Sequence, residues 1–317
     1  MLVSVIIPCY NQAHFVGDAI ESVLAQTWPQ REIIVVDDGS RDDPAAVVAR
    51  HAGVRLIRQA NQGVSAARNH GLRVSRGEFL VFLDADDRLT PQALEIHLRH
   101  LQARPDCAPD CVMAAGHYRE ITADGKVLGT PKQRCVTGDH YKTLLGGGDC
   151  VWLPAAVLYR RAELEAVGGW NEARSGCADW ELYMRIAQRY PICCHAEVVA
   201  EYRQHLPSMS RNSAAMLRDA LAVFASQAEF VRAQPEFASA YRAGLHKARG
   251  YYGERLTTEI RLHLRERHWR SAWEGVLTLA RYYPQAIPSH LANKLKNLVR
   301  GVPPEEINQK EEERKSA

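Results

Sequence analysis

Apolar residues follow two rhythms over the first hundred positions. Unbroken runs, SVIIP at 4–8, REIIVV at 31–36, VRLIRQ at 54–59 and EFLVFL at 78–83, have the length and β-branched content of buried strands. Between the first two, the stretch from Ala13 to Gln26 sets Phe15, Ala19, Ile20, Val23 and Leu24 on one helical face. Asp43 followed by Pro44 is a cap and first-turn pair that opens a helix in AAVVARH. A further helix is predicted from Val64 to about Ser75. This βαβαβαβ rhythm predicts an α/β fold, a mostly parallel sheet with helices on both faces.

The rhythm then loosens. Thr90 and Pro91 open a helix to about Ala103, 110–122 and 152–161 read as strands around a turn at 123–126, Ala178 to Arg189 reads as a helix, and VVAEYR at 198–203 as a strand. Beyond Ser213 only helical patterns remain, interrupted near Pro235, Pro284 and Pro288, and residues 301–317 are polar enough to predict disorder. The expected organisation is a domain over 1–212, with halves at 1–103 and 104–212, a helical region over 213–300 and a tail over 301–317.

The 317 residues, 46% hydrophobic and 24% charged, exclude wholesale disorder. No run approaches the roughly 18 apolar residues of a membrane span, and the N-terminus lacks a secretory pattern, so the expected location is cytoplasmic and the eight cysteines are expected to be reduced. Cys107, Cys111, Cys193 and Cys194 lack the tight paired spacing of structural zinc. A net charge of +3 is too small to imply nucleic acid, but residues 241–300 hold 12 Lys or Arg against 4 Asp or Glu. There Trp269, Trp273, Leu277 and Ala280 form a helical stripe near Arg265, Arg267, Arg270 and Arg281; it either packs internally or lies peripherally on an anionic membrane, which would keep the protein at the inner face.

Candidate chemistry concentrates in carboxylates. Asp37 and Asp38 follow one predicted strand, and Asp84, Asp86 and Asp87 another, at the sheet edge where open α/β folds bind ligands. Asp84-Ala85-Asp86 offers hard oxygens to Mg²⁺ or Mn²⁺, which in turn hold diphosphate oxygens. A bare D-x-D is also a common turn. Neither G-x-G-x-x-G nor a G-x-x-x-x-G-K-[ST] loop is present, so a nucleotide must be held otherwise. Asp38 can accept the ring N–H of a uracil, Tyr10 offers a stacking face, and Pro8 fixes the backbone where the first strand ends.

SVIIPCYNQ, EIIVVDDGS, NQGVSAARNHGL, GEFLVFLDADD, VGGWNE and ADWELYMRIA occur in this order over about residues 1–212. In these motifs the chain resembles inverting GT-A glycosyltransferases of family 2. The resemblance implies a GT-A fold, Mn²⁺ or Mg²⁺ as cofactor, and transfer of a sugar from a nucleotide-sugar donor, UDP-linked, to a saccharide or lipid-linked acceptor in cell-surface polysaccharide or glycoconjugate synthesis. It assigns Tyr10 and Asp38 to the nucleobase, Asp84 to the ribose or a nearby water, Asp86 to the metal and Asp179 to the catalytic base.

Several positions stay open between function and structure. Arg68 is either a cation for donor phosphate or a surface helix arginine, and His205 in YRQHLPSMS either a metal or phosphate contact or a structural histidine. Trp170 and Trp180 either stack on acceptor sugar or pack in the core. Ala178 stands where the family often has a second carboxylate, so an accessory role for that group is absent; should Asp179 not be the base, Glu181 and Glu172 are the next candidates. Two competing classes are a sugar nucleotidyltransferase, whose Gly-rich first loop is missing here, and an inactive saccharide-binding or scaffold protein, against which the intact Asp38, Asp86 and Asp179 argue.

Overall fold

Every residue of the first strand, β1 (Val3–Cys9), is buried, which requires cover on both faces of its sheet. In the computed structural model, which describes residues 1–102, 111–136, 138–148, 153–174, 176–205 and 212–286, the cover comes from helices on either side. The Val3, Val5 and Ile7 face of β1 packs with Val16, Ala19, Ile20 and Val23 of α1 (Ala13–Leu24) and with Leu94 and Leu98 of α4 (Ala93–Gln102). On the other face α3 (Val64–Val74) approaches so closely that a Cβ at Gly71 would lie 2.3 Å from Ile6 Cγ2. Only glycine allows that approach.

β1 pairs in parallel with β2 (Arg31–Asp37) and β4 (Phe79–Phe82), and β2 in parallel with β3 (Val54–Arg58). The short α2 (Pro44–Val48) starts where Asp43 Oδ1 accepts the Ala46 N–H at 3.1 Å, the cap read from the sequence. Past β4 the sheet becomes mixed. β8 (Val157–Arg160) is antiparallel to both β4 and β6 (Met113–Ile121), β6 is parallel to β9 (Ile192–Arg203), and β5 (Arg88–Leu89) pairs antiparallel with β9. The nine-stranded order is β3-β2-β1-β4-β8-β6-β9-β5, with β7 (Val127–Gly129) beside β6.

Differences from the sequence reading fall in this mixed half. The run at 152–161 is broken by a 3₁₀ turn at Pro154–Ala156 before β8, and β9 begins at Ile192, six residues ahead of the expected strand. Two six-residue helices, α5 (His140–Leu145) and α6 (Arg161–Ala166), had no sequence expectation, being too short for a periodic signal. α7 (Ala178–Ala187) lies where expected.

The cysteines also require correction. Cys111 and Cys193 are joined in a disulfide, their Cα atoms 5.9 Å apart, because the parallel pairing of β6 with β9 brings together residues 82 positions apart. Burial pushes the Cys9 thiol up to about 12. Cys107 lies outside the described residues.

The chain divides into two units, Met1–Ser208 and Met209–Ala317. The second consists of α8 (Ser213–Ala233), α9 (Ala238–Arg265) and α10 (Trp269–Tyr282), with 3₁₀ turns at Pro235–Phe237 and Pro284–Ala286 where prolines interrupt the pattern. Leu217, Leu256, Ile260, Ala272 and Leu279 form its core. A Cβ at Gly275 would lie 2.6 Å from Ile260, so glycine again sets the helix spacing. The buried face of α10 is Ala272, Gly275 and Leu279, whereas Trp269 and Trp273 are 64% and 45% exposed; the stripe read from the sequence thus keeps its tryptophans outside the core. Pro288, the end of the expected helical region and the tail lie outside the described residues.

Candidate functional site

The loops leaving β1 and β2 are knitted together at the carboxyl edge of the parallel strands. Asp38 donates its backbone N–H to the Cys9 carbonyl at 2.8 Å, and Asn11 donates its own to Ser40 Oγ at 3.0 Å. Tyr10 stands out from this edge, 44% exposed, while Pro8 is buried within β1 opposite Val36. The Asp38 carboxylate is 3% exposed and accepts from Gln59 Nε2 at 2.8 Å and from the backbone N–H groups of Gln62 and Gly63 at 2.9 and 2.8 Å. It thereby ties β2 to the start of α3. The Gln59 side-chain Oε1 in turn lies 2.7 Å from His70 Nδ1.

After β4 the three carboxylates diverge. Asp84 Oδ1 accepts from Arg68 at 2.7 Å, and the same guanidinium lies 4.2 Å from the centre of the Trp170 ring. Arg68 is therefore a buried cation paired at the sheet edge, and the negative charge of Asp84 raises its pKa against the cost of burial. Asp86 Oδ2 accepts from Gln12 at 3.0 Å and lies 2.8 Å from His205 Nε2, so the loops after β1, β4 and β9 meet at one carboxylate. Asp87 is buried and accepts the Arg203 backbone N–H at 3.0 Å. Burial, then the charges of Asp86 and Asp84, push its pKa well above the usual carboxylate range.

Arg203 braces this corner and was missed by the sequence reading, although it sits in the YR-x-H segment singled out for His205. Its guanidinium donates to the carbonyls of Asp86 and Ala123 at 2.7 and 2.6 Å and to Asp18 at 2.7 Å, and lies 4.8 Å from the Phe15 ring, which packs on His205. Gln12, in the CYNQ segment, was also missed.

Asp179 enters from the first turn of α7, half-buried, and accepts the Trp180 N–H at 2.8 Å. Burial raises its pKa; the Trp180 N–H and Arg68 oppose the rise and the Asp84 charge adds to it. Arg68, Asp84 and Asp179 thus share one electrostatic neighbourhood. The reserve candidates for a base are engaged elsewhere. Glu181 is buried in a two-oxygen pair with Arg185 at 2.7 and 2.8 Å, and the exposed Glu172 accepts from Asn69 at 2.8 Å.

The two tryptophans separate. Trp170 is 2% exposed, set between Arg68 and the edge of Phe82, and is a core residue with no face for an acceptor sugar, which corrects one of its two readings. Trp180 is half-buried, its indole N–H donating to the Leu144 carbonyl at 3.3 Å. For a divalent ion, Asp86 and His205 offer a hard oxygen and an imidazole nitrogen one hydrogen-bond length apart, a donor pair that fits Mn²⁺ or Mg²⁺.

Residues 4–157 match the family model described as Glycosyl transferase family 2. The chain is 29% identical over 194 residues to the chondroitin synthase of Escherichia coli, covering 60% of this chain and 27% of the relative. It is 34% identical over 176 residues to an uncharacterised glycosyltransferase of Nostoc sp. strain PCC 7120, covering 53% of each. The chain therefore spans about a quarter to a half of these relatives' lengths. Among solved structures, the fold resembles S. aureus TarS 1–349 in complex with UDP-GlcNAc, with a TM-score of 0.64 and 18% identity over 91% of this chain and 82% of that one. That likeness extends to the GT-A architecture expected from the motifs.

Proposed function

The chain belongs to glycosyl transferase family 2 through residues 4–157, and from that premise we propose that it is a metal-dependent, inverting glycosyltransferase using a UDP-sugar donor and a saccharide or lipid-linked acceptor. The observation that carries this reading is the convergence of Asp86 with His205 and of Asp84 with Arg68 at the strand edge, with Asp179 within electrostatic range of the second pair. Three roles of the reaction thus have residues: a diphosphate anchor, a cation, and a base.

Tyr10 stacks on the nucleobase, and Asp38 frames the same pocket chiefly by holding the start of α3. Asp86 and His205 would hold the divalent ion, which when bound would supply positive charge against the departing diphosphate. Arg68 keeps a positive charge beside Asp84, which faces the ribose. Asp179 takes the proton of the acceptor hydroxyl as that oxygen attacks the anomeric carbon from the side opposite the leaving group. Its raised pKa makes it a stronger base than a solvated aspartate. Trp180 borders the acceptor side.

Exposed Trp269 and Trp273 stand on α10 beside exposed Arg265, Arg267 and Arg270. Indole rings flanked by cations match the interfacial layer of an anionic bilayer, so this face is assigned to peripheral contact with anionic lipid at the cytoplasmic side, the arrangement suited to a lipid-linked acceptor. The donor is tested by offering the purified protein a panel of nucleotide sugars with Mn²⁺ or Mg²⁺ and measuring released nucleoside diphosphate. Release from one UDP-sugar well above the others supports the reading; no release from any donor with any acceptor mixture counts against it.

A further inference from the structure

A second group of metal-ligating side chains lies where α4 packs on β9, apart from the carboxylates at the strand edge. One ligand atom each from His100, His195 and Glu197 lies within 4.8 Å of the other two. His100 Nε2 is 2.7 Å from Glu197 Oε1, and the His100 ring stacks on that of His195 with centroids 4.3 Å apart. Behind them His97, 1% exposed, brings its Nδ1 to 3.2 Å from His195 Nε2.

Two features mark this group as more than packing. First, His195 Nδ1 and His97 Nε2 are buried without a hydrogen-bond partner, and leaving a buried polar atom unpaired costs roughly 1–3 kcal/mol. An apolar pair would pack the same space without that penalty. Second, the ligand atoms converge from two separate elements: His100 comes from α4 and His195 and Glu197 from β9, yet one ligand atom of each lies within 4.8 Å of the other two.

We propose that His100, His195 and Glu197 form a structural site for a divalent transition metal, Zn²⁺ by its chemistry, with His97 as the supporting partner of His195. Two imidazoles against a single carboxylate favour such an ion over Mg²⁺, unlike the one imidazole of the Asp86 and His205 pair. A ligating histidine ordinarily donates its second ring N–H to a fixed acceptor; the His195 Nε2–H to His97 Nδ1 contact supplies this and leaves Nδ1 as the free lone pair. The stacked rings hold their in-plane lone pairs parallel, so His100, half-buried on α4, tilts to converge on the ion while the buried His195 stays. Arg99, which pairs with both oxygens of Glu197 at 2.7 Å, yields one of them. The bound ion clips α4 to β9, the strand that leads to Arg203 and His205.

The test uses the full chain carrying Asp86→Asn, which removes the ion assigned to the transfer site, so uptake reports on this site whatever the outcome for the transferase reading. Metal-stripped protein is titrated with Zn²⁺ against a chromophoric chelator, and Co²⁺ spectra report the ligand types. The expected result is one equivalent bound, no thiolate charge-transfer band, and affinity at least tenfold weaker with His100→Gln or with Glu197→Gln. Both side chains are partly exposed, and circular dichroism checks that their variants fold. His268→Gln is the control for the exposed His263, Glu266 and His268 group and is expected to leave uptake unchanged. No stoichiometric uptake, equal uptake by the His100 and Glu197 variants, a thiolate band, or loss with His268→Gln overturns the proposal.

Discussion

Asp179 and Asp86 make different demands on a substitution. Asp179→Asn keeps the shape of the side chain and its contact to Trp180 but removes the proton acceptor, so it is expected to bind donor as before while kcat falls by about 10²–10⁴. Steady-state kinetics beside calorimetry with UDP separates the two effects. The pH dependence has a definite sign. The base must be ionised, and burial raises its pKa, so the rate falls as pH drops through that raised value and is full above it; the residual rate of Asp179→Asn is expected to lack this limb. Most of these residues were legible because each sits in a short motif whose chemistry is local. Trp170 was not, since nothing in VGGWNE distinguishes a ring that meets a sugar from one packed between Arg68 and Phe82. Arg203 escaped for a related reason: its partners Asp18, Asp86 and Ala123 are distant in sequence. Arg203→Met leaves the Asp86 and Ala123 carbonyls without that donor, while the half-exposed Asp18 is solvated, and is expected to cost about 1–3 kcal/mol in chemical denaturation.

Elements that repeat a pattern could be read, and those set by pairing could not. β1, β2, β3 and β4 announce themselves as apolar runs, with helices between them at the correct period. In the mixed half, the order β8-β6-β9-β5 follows from which edges meet, and the β6–β9 pairing closes the disulfide between Cys111 and Cys193. Chain entropy alone gives about 4–5 kcal/mol for a crosslink closing a loop of this length, and disulfides typically deliver about 2–4 kcal/mol of it. Cys193→Ser, or wild type in dithiothreitol, is accordingly expected to unfold at a lower denaturant midpoint, with an unfolding free energy smaller by about 2–4 kcal/mol. Unchanged midpoints would mean that the pairing does not hold the two strands.

For the whole molecule, each unit carries its own prediction. The helical unit turns Trp269 and Trp273 outward, so the full chain is expected to sediment with anionic vesicles at low salt, less as salt rises. Trp269→Ser with Trp273→Ser should reduce that binding without altering turnover on a soluble acceptor. Equal sedimentation with neutral vesicles, or concentration-dependent self-association abolished by the same substitutions, would assign the face to another partner. The central claim rests on the first unit, and turnover of the preferred UDP-sugar, followed as UDP release in Mn²⁺ by wild type, Asp86→Asn and Asp179→Asn, tests it most directly. The account predicts rapid release by wild type, loss in both variants and on chelation, and donor affinity retained in Asp179→Asn. Wild-type release in excess chelator, or by Asp179→Asn, would contradict it.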